Sequence, residues 1–435
     1  MNDRLASLYP AHVETMKSRH DRALRESGYD HAIISGGALH VAFLDDMYYP
    51  FKVNPHFKAW VPVIDNPHCF LVYTPGERPR LVFYQPIDYW YKPAETPSGY
   101  WTGHFDIRVI TDVAQAKDHF PRSGRVAFLG EPEELQSGDL NPQPLMDRLH
   151  WERSWKTDYE IACVREANVK AARGHRAAER AFHAGATEYE IHLEYLRASD
   201  QTEEELPYGN IIALNENAAV LHYFQHDRRK LERHSFLIDA GASVHGYASD
   251  VTRTYSSNGD EFGALIAAMD SMQQGLCAAV KPGASYPDIH MLAHRGVAGI
   301  LAKFGFVKLD ADAIVSTGIS SAFFPHGVGH YLGLQVHDVA GFMADPSGKS
   351  IAKPEGHPYL RLTRTIEPRM LFTIEPGVYF IEPLLAELKA SDNAKHVDWA
   401  KVDAFRKFGG IRIEDDVVVT ADGIDNLTRA AFAEV

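Results

Sequence analysis

The stretch Ser235–Tyr255, SFLIDAGASVHGYASDVTRTY, carries two aspartates in surroundings that read as strand. Asp239 ends the apolar run SFLID, and Asp250 precedes VTRTY, which is rich in β-branched and aromatic residues. The SVHG between them reads as a turn. A turn centred between Val244 and His245 sets Asp239 directly opposite Asp250. Opposed residues of an antiparallel pair have Cβ atoms about 4.5–5.5 Å apart. Two like charges buried at that separation are costly unless something positive lies between them. A one-residue bulge would spoil the register, and a bond to a backbone turn explains Asp239 alone equally well.

Further acids lie in the C-terminal third. MLFTIEPGVYF places Glu375 at the end of an apolar strand, before a Pro-Gly turn. In GGIRIEDDVVV, Ile411 and Ile413 point one way and Arg412 and Glu414 the other. Taken singly, Glu414 reads as a solvent-facing residue paired with Arg412. Upstream, FFPHGVGHYLGLQVHD, Phe323–Asp338, spaces His326, His330 and His337 by four and then seven positions. Pro325 and the glycines at 327, 329 and 333 argue against a helix, while Leu334–His337 alternates like a strand. A single histidine is more often a satisfied surface or core residue than a ligand. Together, however, four carboxylates from strand-like segments and one imidazole would balance two divalent cations. Mostly oxygen donors suit Mn²⁺ or a neighbouring first-row metal better than a thiolate-bound zinc. Paired metals about 3.5–4 Å apart activate a shared water in aminopeptidases, among other enzymes.

At 435 residues the chain is long enough for two domains, and 45% hydrophobic with 23% charged residues is ordinary for a globular protein. A formal charge of −14 argues against nucleic acid or an anionic membrane as partner. Cys69, Cys163 and Cys277 are too widely spaced for a disulfide framework or zinc knuckle. The first twenty residues are charged throughout, and no apolar run reaches the roughly 18 residues of a membrane span. A cytoplasmic location is expected.

Residues 1–155 alternate in type: a helical pattern from Pro10 to Glu26, then the strands HAIIS, CFLVY, RLVFY and GRVAFLG. This pattern predicts a small α/β layer. The aromatic segments Met47–Trp60 and Asp88–Pro93 suit a core and an interface equally. Capping-box pairs Thr157/Glu160 and Thr187/Glu190 flank a helical face of Ile161, Val164, Ala167, Ala171, Ala178 and Phe182 that ends at Gly185. A larger second domain, 156–435, is therefore expected to open with two helices.

The ordered set IDAG, SDVTRTY, HGVGH, IEPG and RIEDD resembles the pita-bread metallopeptidases, which include methionine aminopeptidase, aminopeptidase P and prolidase. FLDDMYYPFKVNPHFKAWVPVIDNPHC and PYGNIIALNENAAVLHY extend the likeness to bacterial prolidases also described as organophosphorus acid anhydrolases. The resemblance implies an α+β chain with a creatinase-like catalytic domain behind the α/β domain. It implies two divalent ions per subunit, Mn²⁺ first and Co²⁺ or Zn²⁺ as alternatives. Asp250 and Glu414 would bridge them, Asp239 completing one site and His330 with Glu375 the other. A metal-bridged hydroxide would attack the scissile carbonyl of an Xaa-Pro dipeptide, with Glu375 moving the proton and His222 and His337 stabilising the oxyanion. Arg361 would hold the substrate carboxylate, Arg412 would orient Glu414, and His326 would line the pocket. Tyr208, Val336 and Asp46 would surround the substrate's amino end, Asp46 from the partner of a homodimer, with Trp90 nearby. Side activity on P–F or P–O bonds of organophosphorus triesters also follows from the likeness. Alternatives are an aminopeptidase P acting on longer peptides and a non-enzymatic recognition module on the same fold.

Overall fold

A computed structural model describes residues 3–132 and 135–435. The chain divides into two compact units. The first takes the chain through Cys163 with His245–Tyr247 and Ala344–Lys349; the second takes Val164–Val244, Ala248–Met343 and Ser350–Val435.

In the first unit, helix α1 (Asp3–Ser27) precedes a six-stranded sheet. Its strands are β1 (His31–Ser35), β2 (Phe70–Tyr73), β3 (Arg80–Tyr84), β4 (Asp106–Ile110), β5 (Val126–Leu129) and β6 (Asp139–Leu140), in spatial order β4-β3-β2-β1-β5-β6. Short helices α2 (Pro55–Lys58) and α3 (Gln143–Glu152) complete the α/β layer. Ile33, Phe70, Val82 and Phe128 share one buried cluster. Helix α1 starts earlier than the sequence pattern suggests and carries Pro10 inside it. The buried stripe Leu5, Tyr9, Val13 and Met16 runs past the proline, so packing offsets the lost backbone hydrogen bond. The first aromatic segment serves two purposes. Phe57 and Trp60 are core, while Met47 and Tyr49 are exposed together with Phe43, Leu44, Tyr89 and Trp90.

Helices α4 (Asp158–Ala184) and α5 (Glu188–Ser199) follow. Both capping boxes form: Glu160 and Glu190 each accept from the backbone of their threonine at 2.8 Å. Val164, Ala167, Ala171, Ala178 and Phe182 are buried, but Ile161 is only half-buried. Gly185 leaves the helix at φ 94°.

In the second unit β7 (Ile211–Leu214) and β8 (Ser235–Asp239) pair; the chain then runs through β9 (Ser243–Val244) and β10 (Tyr247–Ala248) to β11 (Thr252–Ser256), which pairs with β8. The expected register of the opening stretch is wrong by one residue in each strand. His245 and Gly246 both adopt positive φ, 50° and 82°, which centres the turn between them. Asp239 therefore faces Thr252, and Ser249 donates its backbone N–H to Ala242. Asp250 is diagonal to Asp239, still within reach of side-chain atoms.

Helices α6 (Glu261–Ala279) and α7 (Tyr286–Lys303) separate this part from β12 (Leu371–Ile374), β13 (Gly377–Tyr379), β14 (Gly410–Arg412), β15 (Asp415–Val419) and β16 (Ile424–Asn426). These form a three-stranded sheet, β12-β15-β16, and a β13-β14 pair. Leu334–His337, expected as a strand, is a series of bends. Gly333 turns the backbone back there, donating its N–H to the Gln335 carbonyl at 3.1 Å. No helix among the described residues is long and apolar enough to cross a membrane.

Candidate metal centre

Each acid of the proposed set stands where a strand ends or breaks, so its side chain leaves the ladder for one cavity. Asp239 closes β8, Asp250 precedes β11, Glu375 follows β12, and Glu414 interrupts the run from β14 to β15. A bridge between Thr252 and Glu414 joins the two strand groups. Another between Tyr331 and Phe372 brings the histidine loop alongside β12, with Thr373 donating its backbone N–H to the His330 carbonyl at 3.0 Å. Gly329 is required by that approach: a Cβ there would overlap the Thr373 carbonyl and the Tyr286 hydroxyl.

The side chains converge. Tyr208 Oη lies 2.8 Å from Asp239 Oδ1 and 2.7 Å from Asp250 Oδ1. His330 Nε2 is 3.4 Å from Asp250 Oδ2 and 3.6 Å from Glu375 Oε1. Ligand atoms of Asp250, His330 and Glu414 all lie within 4.8 Å of one another. His330 Nδ1 is 3.0 Å from the Tyr331 carbonyl, a contact that places the proton on Nδ1 and turns the Nε2 lone pair toward the carboxylates.

Arg412 is buried beside them. It donates from Nη2 to Asp239 Oδ2 at 2.6 Å, from Nη1 to Tyr379 Oη at 2.9 Å and from Nε to Thr252 Oγ1 at 3.2 Å. Thr252 in turn donates to Glu414 Oε2 at 2.6 Å. Arg412 reaches Glu414 only through Thr252; its direct carboxylate partner is Asp239. Sequence reasoning passed over Thr252 and Tyr379. The two-residue alternation from Asp250 could have flagged Thr252, whereas Tyr379 is recognisable only in three dimensions.

The acidic triplet after Ile413 divides its labour. Glu414 faces the cavity. Asp415 is fully buried and paired with Arg253 Nη2 and Arg429 Nε, both at 2.7 Å. Asp416 Oδ2 accepts from Asn168 at 2.7 Å and from the Asp250 backbone N–H at 3.1 Å.

A cavity of about 690 Å³ is lined by Asp239, Asp250, His330, Glu375 and Glu414 and by His222, His326, His337, Arg361 and Arg412. His326 Nε2 is 2.8 Å from the Tyr379 hydroxyl, and the His337 ring packs edge-on against His330 at 4.3 Å. Tyr208 touches the acids from behind, and Val336 is half-buried on the bent segment. Asp46 and Trp90 belong to the first unit and are exposed.

The electrostatics call for cations. Burial, reinforced by the neighbouring acids, holds the Glu414 carboxyl well above the usual range, and burial raises Asp239 despite Arg412. Burial also pushes Glu375 up to about 7. Asp250 is desolvated too, yet its bond to His330 leaves it low. Burial opposes a proton on His330, but Asp250 and Glu375 outweigh it and lift that imidazole to about 9. Four oxygen donors and one nitrogen, with no thiol in the cavity, fit hard or borderline divalent ions.

The family profile for metallopeptidase family M24 matches residues 162–421, and that for the Xaa-Pro dipeptidase N-terminal domain matches residues 7–151. The chain belongs to metallopeptidase family M24. It is 51% identical over 432 residues to the Xaa-Pro dipeptidase of Stenotrophomonas maltophilia strain K279a, covering 98% of each chain. It is 50% identical over 434 residues to the Xaa-Pro dipeptidase of Xanthomonas euvesicatoria pv. vesicatoria strain 85-10, covering 99% of this chain and 98% of that one. Zinc-substituted Escherichia coli aminopeptidase P has the same fold, with a TM-score of 0.72 at 22% identity over 96% of this chain and 95% of that one. Aminopeptidase PepP of Pseudomonas aeruginosa gives 0.71 at 23% over 96% and 98%. The expected pita-bread architecture and M24 membership therefore hold, and the chain is a metallopeptidase.

Proposed function

We propose that the protein is an Xaa-Pro dipeptidase using two divalent ions, Mn²⁺ before Co²⁺ or Zn²⁺. The convergence of Asp239, Asp250, His330, Glu375 and Glu414 on one cavity that also contains Arg361 carries this reading. Its relatives' names and their match over nearly the whole chain support the substrate class. Asp239, Asp250, His330, Glu375 and Glu414 would together hold the ions. When bound, such ions lower the pKa of a water toward neutrality and polarise the scissile carbonyl.

The chain's own groups do the rest. Glu375 takes the proton of the attacking water and passes it to the proline nitrogen as the C–N bond breaks. His222 and His337, on the cavity wall, donate to the developing oxyanion. A proline imide offers no N–H, so recognition falls on its free carboxylate, which the Arg361 guanidinium grips with two parallel bonds. His326 is held by Tyr379 at the rim of this grip. Tyr208 and Val336 shape the amino end of the site. The exposed apolar surface around Asp46 and Trp90 suits burial in a homodimer in which the partner closes the site. Three free, buried cysteines suit a reducing cytoplasm. The same cavity is large enough for a small organophosphorus triester, whose tetrahedral phosphorus mimics the tetrahedral stage of peptide cleavage.

Comparing Ala-Pro with Ala-Pro-Ala on Mn²⁺-loaded protein tests the proposal. Faster cleavage of the dipeptide is expected. Strong turnover of the tripeptide would reassign the chain to aminopeptidase P, and no hydrolysis of either would leave a recognition module.

A further inference from the structure

A second group of nitrogen donors lies outside the candidate metal centre and shares none of its ligands. His290 and His294 are four apart on one face of α7, and His357 comes from the loop that precedes Arg361. His290 and His294 are each only 1% exposed. One ring nitrogen from each of the three lies within 4.8 Å of the others. Ring centroids are 4.5–4.7 Å apart in all three pairs.

Two details distinguish this trio from packed core histidines. His290 Nε2 and His357 Nδ1 share a hydrogen bond of 3.0 Å, which a shared ion would replace, and this separation is close to the roughly 3.3 Å edge of a tetrahedron whose metal–nitrogen bonds are 2.0–2.1 Å. His294 Nδ1 is engaged by Ser320 Oγ at 3.0 Å, while His294 Nε2 is buried with no hydrogen-bond partner. The serine thus holds the ring with Nε2 directed away from it, as an outer partner does for a metal-bound imidazole. Burial also keeps the rings neutral, holding His290 down to about 2 and His294 to about 3. The trio lines a cavity of about 190 Å³ that adjoins the larger one along Pro325, His326 and Tyr359 and leaves room for a water as fourth ligand.

The geometry points to a third metal site, in which His290, His294 and His357 hold a Zn²⁺-like ion tetrahedrally and tie the loop bearing Arg361 to α7. Three imidazoles without a carboxylate select Zn²⁺, Co²⁺ or Ni²⁺ over Mn²⁺. The two centres should therefore load different metals in one chain.

The full-length protein, loaded with Mn²⁺, is exposed to excess Zn²⁺, desalted and analysed for total metal. Wild type should retain three ions per chain and His357→Gln two, with Ala-Pro turnover of the Mn²⁺ form unchanged in the variant. Ser320→Ala should weaken the third ion by about 10- to 100-fold. Two ions in wild type, or three in both wild type and His357→Gln, would overturn the assignment. A zinc-soaked wild-type crystal gives a reading independent of any variant's folding: an anomalous peak among the three imidazoles supports the site, and its absence there refutes it.

Discussion

Arg412→Met removes a buried guanidinium that touches a carboxylate of the candidate metal centre directly. The Arg412 side chain makes three hydrogen bonds, to Asp239, Tyr379 and Thr252, and the residue is 4% exposed. Methionine preserves much of the stem's packing but leaves Asp239 charged and buried. Breaking one partner of a buried ion pair costs about 3–5 kcal/mol. That cost applies in full to protein stripped of metal by a chelator. With divalent ions bound, Asp239 keeps a positive neighbour, and the loss shrinks to the bonds with Tyr379 and Thr252, about 0.5–1.5 kcal/mol each. Since 1 kcal/mol shifts Tm by about 2 °C in a domain of this size, the variant should melt about 6–10 °C lower without metal and about 2–6 °C lower with Mn²⁺. Differential scanning calorimetry on both proteins, with chelator and with Mn²⁺, measures this. An equal or larger loss in the metal-loaded form would refute the idea that Arg412 and the ions balance the same charge.

The remaining predictions concern chemistry and pH. Metal-free protein should lose stability as pH rises from 6.5 to 9, because folded His330 holds its proton to about 9, above its unfolded value of 6.5. Mn²⁺ should flatten that slope, and a metal-free Tm that climbs over this window would contradict the assignment. Arg361→Met should raise KM for Ala-Pro by about 10- to 100-fold, from loss of a charge-assisted pair, but leave an amidated substrate little changed; equal effects on both would remove Arg361 from carboxylate recognition. His222→Ala and His337→Ala should lower kcat with metal content near that of wild type. Metal loss in either variant would make that residue a ligand.

The acids were legible because each interrupts an apolar strand-like run. Asp239 in SFLID and Glu375 in LFTIE are conspicuous for that reason, and their order gave the fold through resemblance. The spacing of HGVGH could not say which imidazole turns inward. That choice depends on the neighbouring Tyr331 carbonyl holding His330 Nδ1, a side-chain orientation that spacing does not encode, and on Gly329 admitting β12, a long-range fact. The register failed on one dihedral detail, a histidine accepting positive φ beside Gly246. Leu334–His337 failed because alternation is a weak signal over four residues when a glycine redirects the backbone. His290 and His294 show a helical spacing in the sequence, but the third imidazole arrives from a loop more than sixty positions away.

The triplet Glu414-Asp415-Asp416 constrains how this lineage can vary. Three neighbouring acids answer to three different masters: the cavity, the Arg253–Arg429 clamp, and the Asn168 amide behind Asp250. Deleting a single codon just before them would shift every assignment by one, handing the clamp's acid to the cavity, Asp416 to the clamp and Val417 to the Asn168 amide. Length changes should therefore be purged there and tolerated a few positions on, around the exposed Ala421-Asp422 turn.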